Sequence, residues 1–154
     1  MHISRFYTNQ GKSPYELIEF GTTSSEIRNP DGSIVFRLDE MEAPAAWSQV
    51  ACDILAQKYF RKAGVPAKLK KVVENDVPPW LWRSVADHQA LKALAKKNRR
   101  VGESSAKQVF DRLAGTWTYW GWKGGYFDSE DDARAYFDET RYMLAAQVGA
   151  PNSP

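Results

Sequence analysis

The chain has 154 residues, room for about one domain, with a 43% apolar and a 26% charged share that match ordinary globular usage. Six Trp, seven Tyr and seven Phe exclude disorder over most of the length, and 21 Lys and Arg against 19 Asp and Glu are too even to argue a nucleic-acid partner from totals. Cys52 stands alone, which excludes an internal disulfide and fits a reducing cytoplasm. No apolar run approaches the roughly 18 residues of a membrane span, and the start, "MHISRFYTNQGKSP", lacks an apolar signal core. A soluble cytoplasmic protein is the expectation.

Residues 1–45 read as extended structure. "YELIEF" is a candidate short strand. In "SSEIRNPDGSIVFRLDEM", Asn29-Pro30-Asp31-Gly32 separates two strand-like runs. Proline presets one turn angle and glycine tolerates positive φ, so a hairpin is predicted. Ile34, Phe36 and Leu38 alternate with Val35, Arg37 and Asp39 to give one apolar face. A helix is predicted over about 45–63, where Trp47, Val50, Ala51, Ile54, Leu55 and Tyr59 recur at helical spacing as an inward stripe. Pro44 suits its entry, and Gly64 and Pro66 stop it. Cys52 lies just off that stripe and reads as a small, half-buried filler.

Residues 65–103 are less regular, with a turn over Asp76–Pro79 and a short helix in "DHQALKALAKKNRR" that ends on Lys96, Lys97, Arg99 and Arg100. A stronger helix is predicted over about 105–120, capped by Ser104 or Ser105. Its apolar face carries Ala106, Val109, Phe110, Leu113, Trp117 and Trp120. "GWKGGYF" reads as a glycine-rich link. The last helix opens at Ser129, with Asp132 three residues on and four acids in or beside its first turn, where the dipole is positive. Ala133, Tyr136, Phe137 and Leu144 are expected to face inward.

Catalytic constellations are sparse. His2 and His88 lie far apart and Cys52 has no companion, so no metal site is expected. "GWKGG" lacks the spacing and the Lys-Ser/Thr of a phosphate loop, which leaves a tight link between helices. Lys58, Arg61, Lys62, Lys68, Lys70 and Lys71, beside Tyr59 and Phe60, raise single-strand nucleic-acid binding. Tyr59 continues the inward stripe, however, and a solvated basic face is the favoured reading. "TWTYWGWKGGYF" raises a stacking platform. Trp117 and Trp120 fit helix packing, while Tyr119, Trp122 and Tyr126 are the members that could be free.

Three stretches are more specific than their physics: "SEIRNPDGSIVFRLDEMEAPAAWSQVACDILAQKYFRKAGVP", "SAKQVFDRLAGTWTYWGWKGGYFDSEDDARAYFDETRYMLAAQ" and the closing "APNSP". In order and spacing they resemble the N-terminal region of adenosylcobalamin-dependent, class II ribonucleotide reductases. The resemblance is strong over about 24–66 and 104–154 and weakest in "VENDVPPWLWRSVADHQALKALAKKNRRVGE". It implies a parent enzyme in which adenosylcobalamin generates a thiyl radical on a barrel cysteine, the radical takes the ribose 3′ hydrogen, and two further cysteines end as a disulfide. Cys52 matches no catalytic cysteine of that family.

The resemblance further implies that residues 1–150 are the N-terminal domain and that 151–154 begin the connection into a ten-stranded α/β barrel absent here, the chain being cut at that threshold. Ser153 corresponds to a hydroxyl residue that helps to hold the substrate phosphate in the complete enzyme; its alternative is a serine satisfying a turn between two prolines. No catalytic, cofactor-binding or metal residue is assigned. The expected fold is α+β, mainly α: an N-terminal hairpin or small sheet, then three or four packed helices flanking the barrel. The segment is expected to be inactive alone and to bind no adenosylcobalamin by itself. The barrel would be joined in cis, or in trans if the gene is split. Exposed Trp or Tyr patches are expected to mark the missing interface. The rivals are an independent single-strand nucleic-acid module using Lys68, Lys70, Lys71, Arg99 and Arg100, and a small adaptor docking on a separate barrel.

Overall fold

The computed structural model describes residues 1–150. The predicted hairpin is present: β1 (Phe20–Arg28) pairs antiparallel with β2 (Ile34–Pro44). Its turn closes on a bond from the Gly32 amide to the Asn29 carbonyl at 2.9 Å, with Gly32 at φ 85°. The pairing steps from Thr23↔Met41 to Ser25↔Leu38, so β2 carries one extra residue there. Such a bulge reverses which side chains face inward. Phe36 and Leu38 are half-buried before it, Met41 and Ala43 fully buried after it, and Ile34 is left exposed at the tip.

Upstream, "YELIEF" forms no further strand. Pro14–Leu17 make a 3₁₀ turn, with Ser13 and Glu16 closing a capping box, and β1 starts only at Phe20.

The helix after β2 is shorter than predicted. Ser48 caps α1 (Gln49–Ile54), which widens into one π turn over Leu55–Tyr59 and ends at an extended Phe60. The chain leaves there because Arg61 pairs across to Glu103. The Glu103 amide donates to the Arg61 carbonyl at 2.8 Å, and the Arg61 amide donates to the Glu103 carboxylate at 2.8 Å. Gly64 therefore lies in the turn beyond and caps nothing.

Two small pairs follow, β3 (Val65–Pro66) with β6 (Arg100–Val101) and β4 (Leu69–Lys71) with β5 (Ser84–Ala86). Between them α2 (His88–Lys92) is capped by Asp87 and ends before the basic run.

Ser105 caps α3 (Ala106–Lys123) through a capping box with Gln108. The helix runs through Gly121, Trp122 and Lys123, so only the end of "GWKGGYF" is link. Gly121 is needed for close approach: a Cβ there would lie 2.7 Å from the Phe127 ring. α4 (Glu130–Ala145) follows, capped by Ser129, and packs on α3. The Asp132 carboxylate does not close a capping box; it takes the Ser129 hydroxyl at 2.6 Å instead. The α+β expectation holds. The core joins Met41 and Ala43 of β2, Cys52, Leu55 and Ala56 of the α1 segment, Val109 and Phe110 of α3, and Leu144 of α4.

Candidate functional site

The segment α1 is apolar on two sides. Cys52, Leu55 and Ala56 point into the core, while Val50, Ile54 and Tyr59 are 67%, 50% and 47% exposed. The inward stripe predicted from Val50, Ile54 and Tyr59 is thus rotated away from the core, and Cys52 is more deeply buried than a half-buried filler, at 4% exposure. The exposed side borders an open cleft of about 290 Å³ between α1, α3 and the end of α4. Trp47, Ala51, Ile54, Leu55 and Tyr59 line it with Val109, Phe110, Leu113, Leu144, Gln147 and Ala150, and no charged side chain is among them. The Trp47 indole donates to the Ala145 carbonyl at 2.8 Å, which fixes the cleft floor to the last turn of α4.

A second assembly was not legible in advance. Residues 1–8 run along α4 as a strap held by its carboxylates. The N-terminal ammonium meets Asp128, and the Ile3 amide donates to Asp132 at 2.8 Å. Arg5 donates to Asp138 at 2.8 Å. Glu139 accepts from the Tyr7 amide at 3.1 Å, the Thr8 amide at 2.8 Å and the Thr8 hydroxyl at 2.7 Å. The Tyr7 ring stacks on Tyr142 at 4.9 Å. Burial opposes the Glu139 charge, but the Thr8 hydroxyl and the backbone donors of Tyr7, Thr8 and Phe6 outweigh it and hold the carboxyl below its usual range. The sequence did carry one signal, since Asp132, Ala135 and Glu139 share one helix face with no basic residue among them.

The remaining sequence-predicted residues are dispersed or already engaged. Lys71 donates to the Trp82 carbonyl at 2.8 Å, Arg100 to the Gly64 carbonyl at 2.8 Å and Arg99 to the Leu94 carbonyl at 3.0 Å. Lys68 and Lys70 are exposed, Lys62 lies over the Phe36 ring at 4.9 Å, and Phe60 is core. Of the aromatic platform, Trp122 donates to the Asp76 carbonyl at 2.7 Å and the Tyr119 hydroxyl to Glu74 at 2.7 Å, so neither is free. Tyr126 is exposed as expected; Trp120, expected on the packed face, is 64% exposed. Ser153 lies outside the described residues.

Among the described residues no group of three or more His, Cys, Asp or Glu converges. Burial first, and the Asp53 charge second, push the Cys52 thiol up. A buried thiol with a raised pKa is a poor ligand and a poor nucleophile. No cobalamin step is derived through these residues. No helix among them is long and apolar enough to cross a membrane.

Comparison with known proteins decides the family. The family described as class II vitamin B12-dependent ribonucleotide reductase matches residues 21–147. The chain belongs to this family. It corresponds to the N-terminal region of these reductases. The vitamin B12-dependent ribonucleotide reductase of Bradyrhizobium diazoefficiens is 66% identical over 154 residues, and that of Agrobacterium fabrum 64% over 154. A more distant relative of the same name, from Rhodopirellula baltica, is 26% identical over 151 residues. The chain is covered completely in the first two comparisons but spans only 12% of the length of either relative. The matched region takes in all of the hairpin but Phe20, the whole of α4 and every cleft-lining residue but Ala150, so the cleft belongs almost entirely to the part shared with the family.

Proposed function

We propose that this chain is the N-terminal segment of a vitamin B12-dependent ribonucleotide reductase, an oxidoreductase that converts ribonucleotides to deoxyribonucleotides for DNA synthesis in the cytoplasm. One observation carries the reading: 66% identity over all 154 residues to a reductase of which they form a 12% slice. In the proposal residues 1–150 form a domain beside the catalytic barrel, and 151–154 lead into it. Ser153 then donates its hydroxyl to the substrate phosphate. Adenosylcobalamin supplies radical chemistry in the complete enzyme, and the barrel, in cis or in trans, holds both it and the ribonucleotide.

The chemistry of Cys52 supports a supporting role. Reduction of a ribonucleotide that ends on a protein disulfide oxidises two thiols, and the chain has one, buried among Leu55, Ala56 and Phe110. The isolated chain, supplied with adenosylcobalamin and ribonucleoside di- or triphosphates, is expected to yield no deoxynucleotide. Grafted in place of the matching segment of the Bradyrhizobium diazoefficiens reductase, it is expected to support turnover. Activity of the isolated chain, or a folded but inactive graft, would refute the proposal.

A further inference from the structure

We infer that the cleft between α1, α3 and the end of α4 is the docking surface for the catalytic part of the reductase polypeptide, which presents an apolar, convex segment to it. This rests on the function proposed above and adds the surface and the chemistry of what covers it.

Four observations converge. The cleft lining is uncharged, so its occupant is apolar. The lining residues Ile54 and Tyr59, with Val50 one turn before Ile54, are large and exposed on a segment that already buries its other side, a pattern that marks an interaction face. On α3 the stripe of Val109 and Leu113 continues at helical spacing to the exposed Trp120, extending the same face beyond the cleft. The fourth concerns tethering. Gln147 and Ala150 form part of the cleft wall, and in the relatives this segment is a 12% slice at the N-terminal end. On that reading, the polypeptide that follows Ala150 is tethered at the cleft wall. A tethered neighbour has an effective concentration in the millimolar range, so a modest apolar contact holds it. A second copy fits less well. In a two-fold pair the same patch meets itself, and two concave clefts face to face leave both unfilled.

The test measures thiol accessibility. Ile54→Cys, in a Cys52→Ala background, is placed in the 154-residue chain and in the graft with the Bradyrhizobium diazoefficiens reductase. Val73→Cys, at a position 68% exposed and outside the cleft, is the control. Alkylation is followed at each position by peptide mass spectrometry. The expected result is that the thiol at position 54 reacts about tenfold or more slowly in the graft than in the isolated chain, because a covered thiol reacts only when the contact opens. The control is expected to react equally in both. Val50→Cys repeats the measurement on the same face should Ile54→Cys disturb folding. Equal rates at positions 50 and 54 in the two proteins would overturn the inference. So would protection of the isolated chain that grows with its concentration, which assigns the cleft to a second copy. Deoxynucleotide production separates the two readings. An active graft with an unprotected position 54 refutes the docking surface alone, and an inactive graft with a protected one refutes the function alone.

Discussion

Glu139 shows how one side chain can anchor a segment from the opposite end of the chain. It is buried and accepts two backbone amides and a hydroxyl from Tyr7 and Thr8. Glu139→Gln keeps the shape and the oxygen that takes all three donors, but it removes the charge and turns the second oxygen, which shares the Tyr7 amide, into a donor facing that amide. A loss of about 1–3 kcal/mol is expected from urea unfolding. The pH dependence has a definite sign. The folded pKa of Glu139 is depressed, so its contribution is complete above the ordinary glutamate value of about 4.3 and disappears as pH falls through the folded value. Asp132 acts in the same sense, held down first by the Ser129 hydroxyl, then by the Ile3 amide and His2. Acidification below about pH 4 is therefore expected to release the strap. Amide protection of Thr8 should fall there before that of the α3 core, and Glu139→Gln should flatten the acid limb.

At the scale of elements, close packing decides the joint between α3 and α4. Gly121→Ala would drive a methyl into the Phe127 ring, which packs on Tyr136 at 5.4 Å. A destabilisation of about 1–3 kcal/mol is expected. Gly115 is the contrast, since its added Cβ meets Phe137 at an ordinary 3.7 Å. Gly115→Ala is expected to stabilise α3 by about 0.5–1 kcal/mol through helix propensity. Comparison of the two urea midpoints checks both. The hairpin, α3 and α4 were legible because their signals are local: a Pro-Asp-Gly turn, Ser104 or Ser105 ahead of a helical apolar stripe, and Ser129 before an acidic first turn. The inward face of α1 was not. Periodicity reports which residues are apolar, and a helix that meets two apolar surfaces gives no clue to which one its own chain supplies. The bulge in β2 between Leu38 and Met41 was hidden too, because nothing in "RLDEMEAP" announces the added residue.

For the whole molecule, the long-range ties carry the organisation. The strap joins residues 1–8 to α4, and Trp47 and the Arg61–Glu103–Arg112 cluster join α1 to the helices that follow. Pairings this distant leave no local pattern, which is why the strap escaped the sequence while the family resemblance, spread over long Trp-rich stretches, did not. Deletion of residues 1–8 would strip Asp138 of Arg5 and Glu139 of three donors. Asp138 keeps Arg141 and Glu139 is opened to water, so the cost is the lost hydrogen bonds, and about 1–3 kcal/mol is expected in thermal or urea unfolding.

The strap also imposes an order on synthesis. Its amides are made about 130 residues before the carboxylates that receive them. Until then the strap is without a berth, and it settles only when Glu139 has cleared the exit tunnel. Any product terminated before Glu139 keeps a loose strap that proteases can seize, so the contact tells a nascent chain that has reached α4 from one that has not.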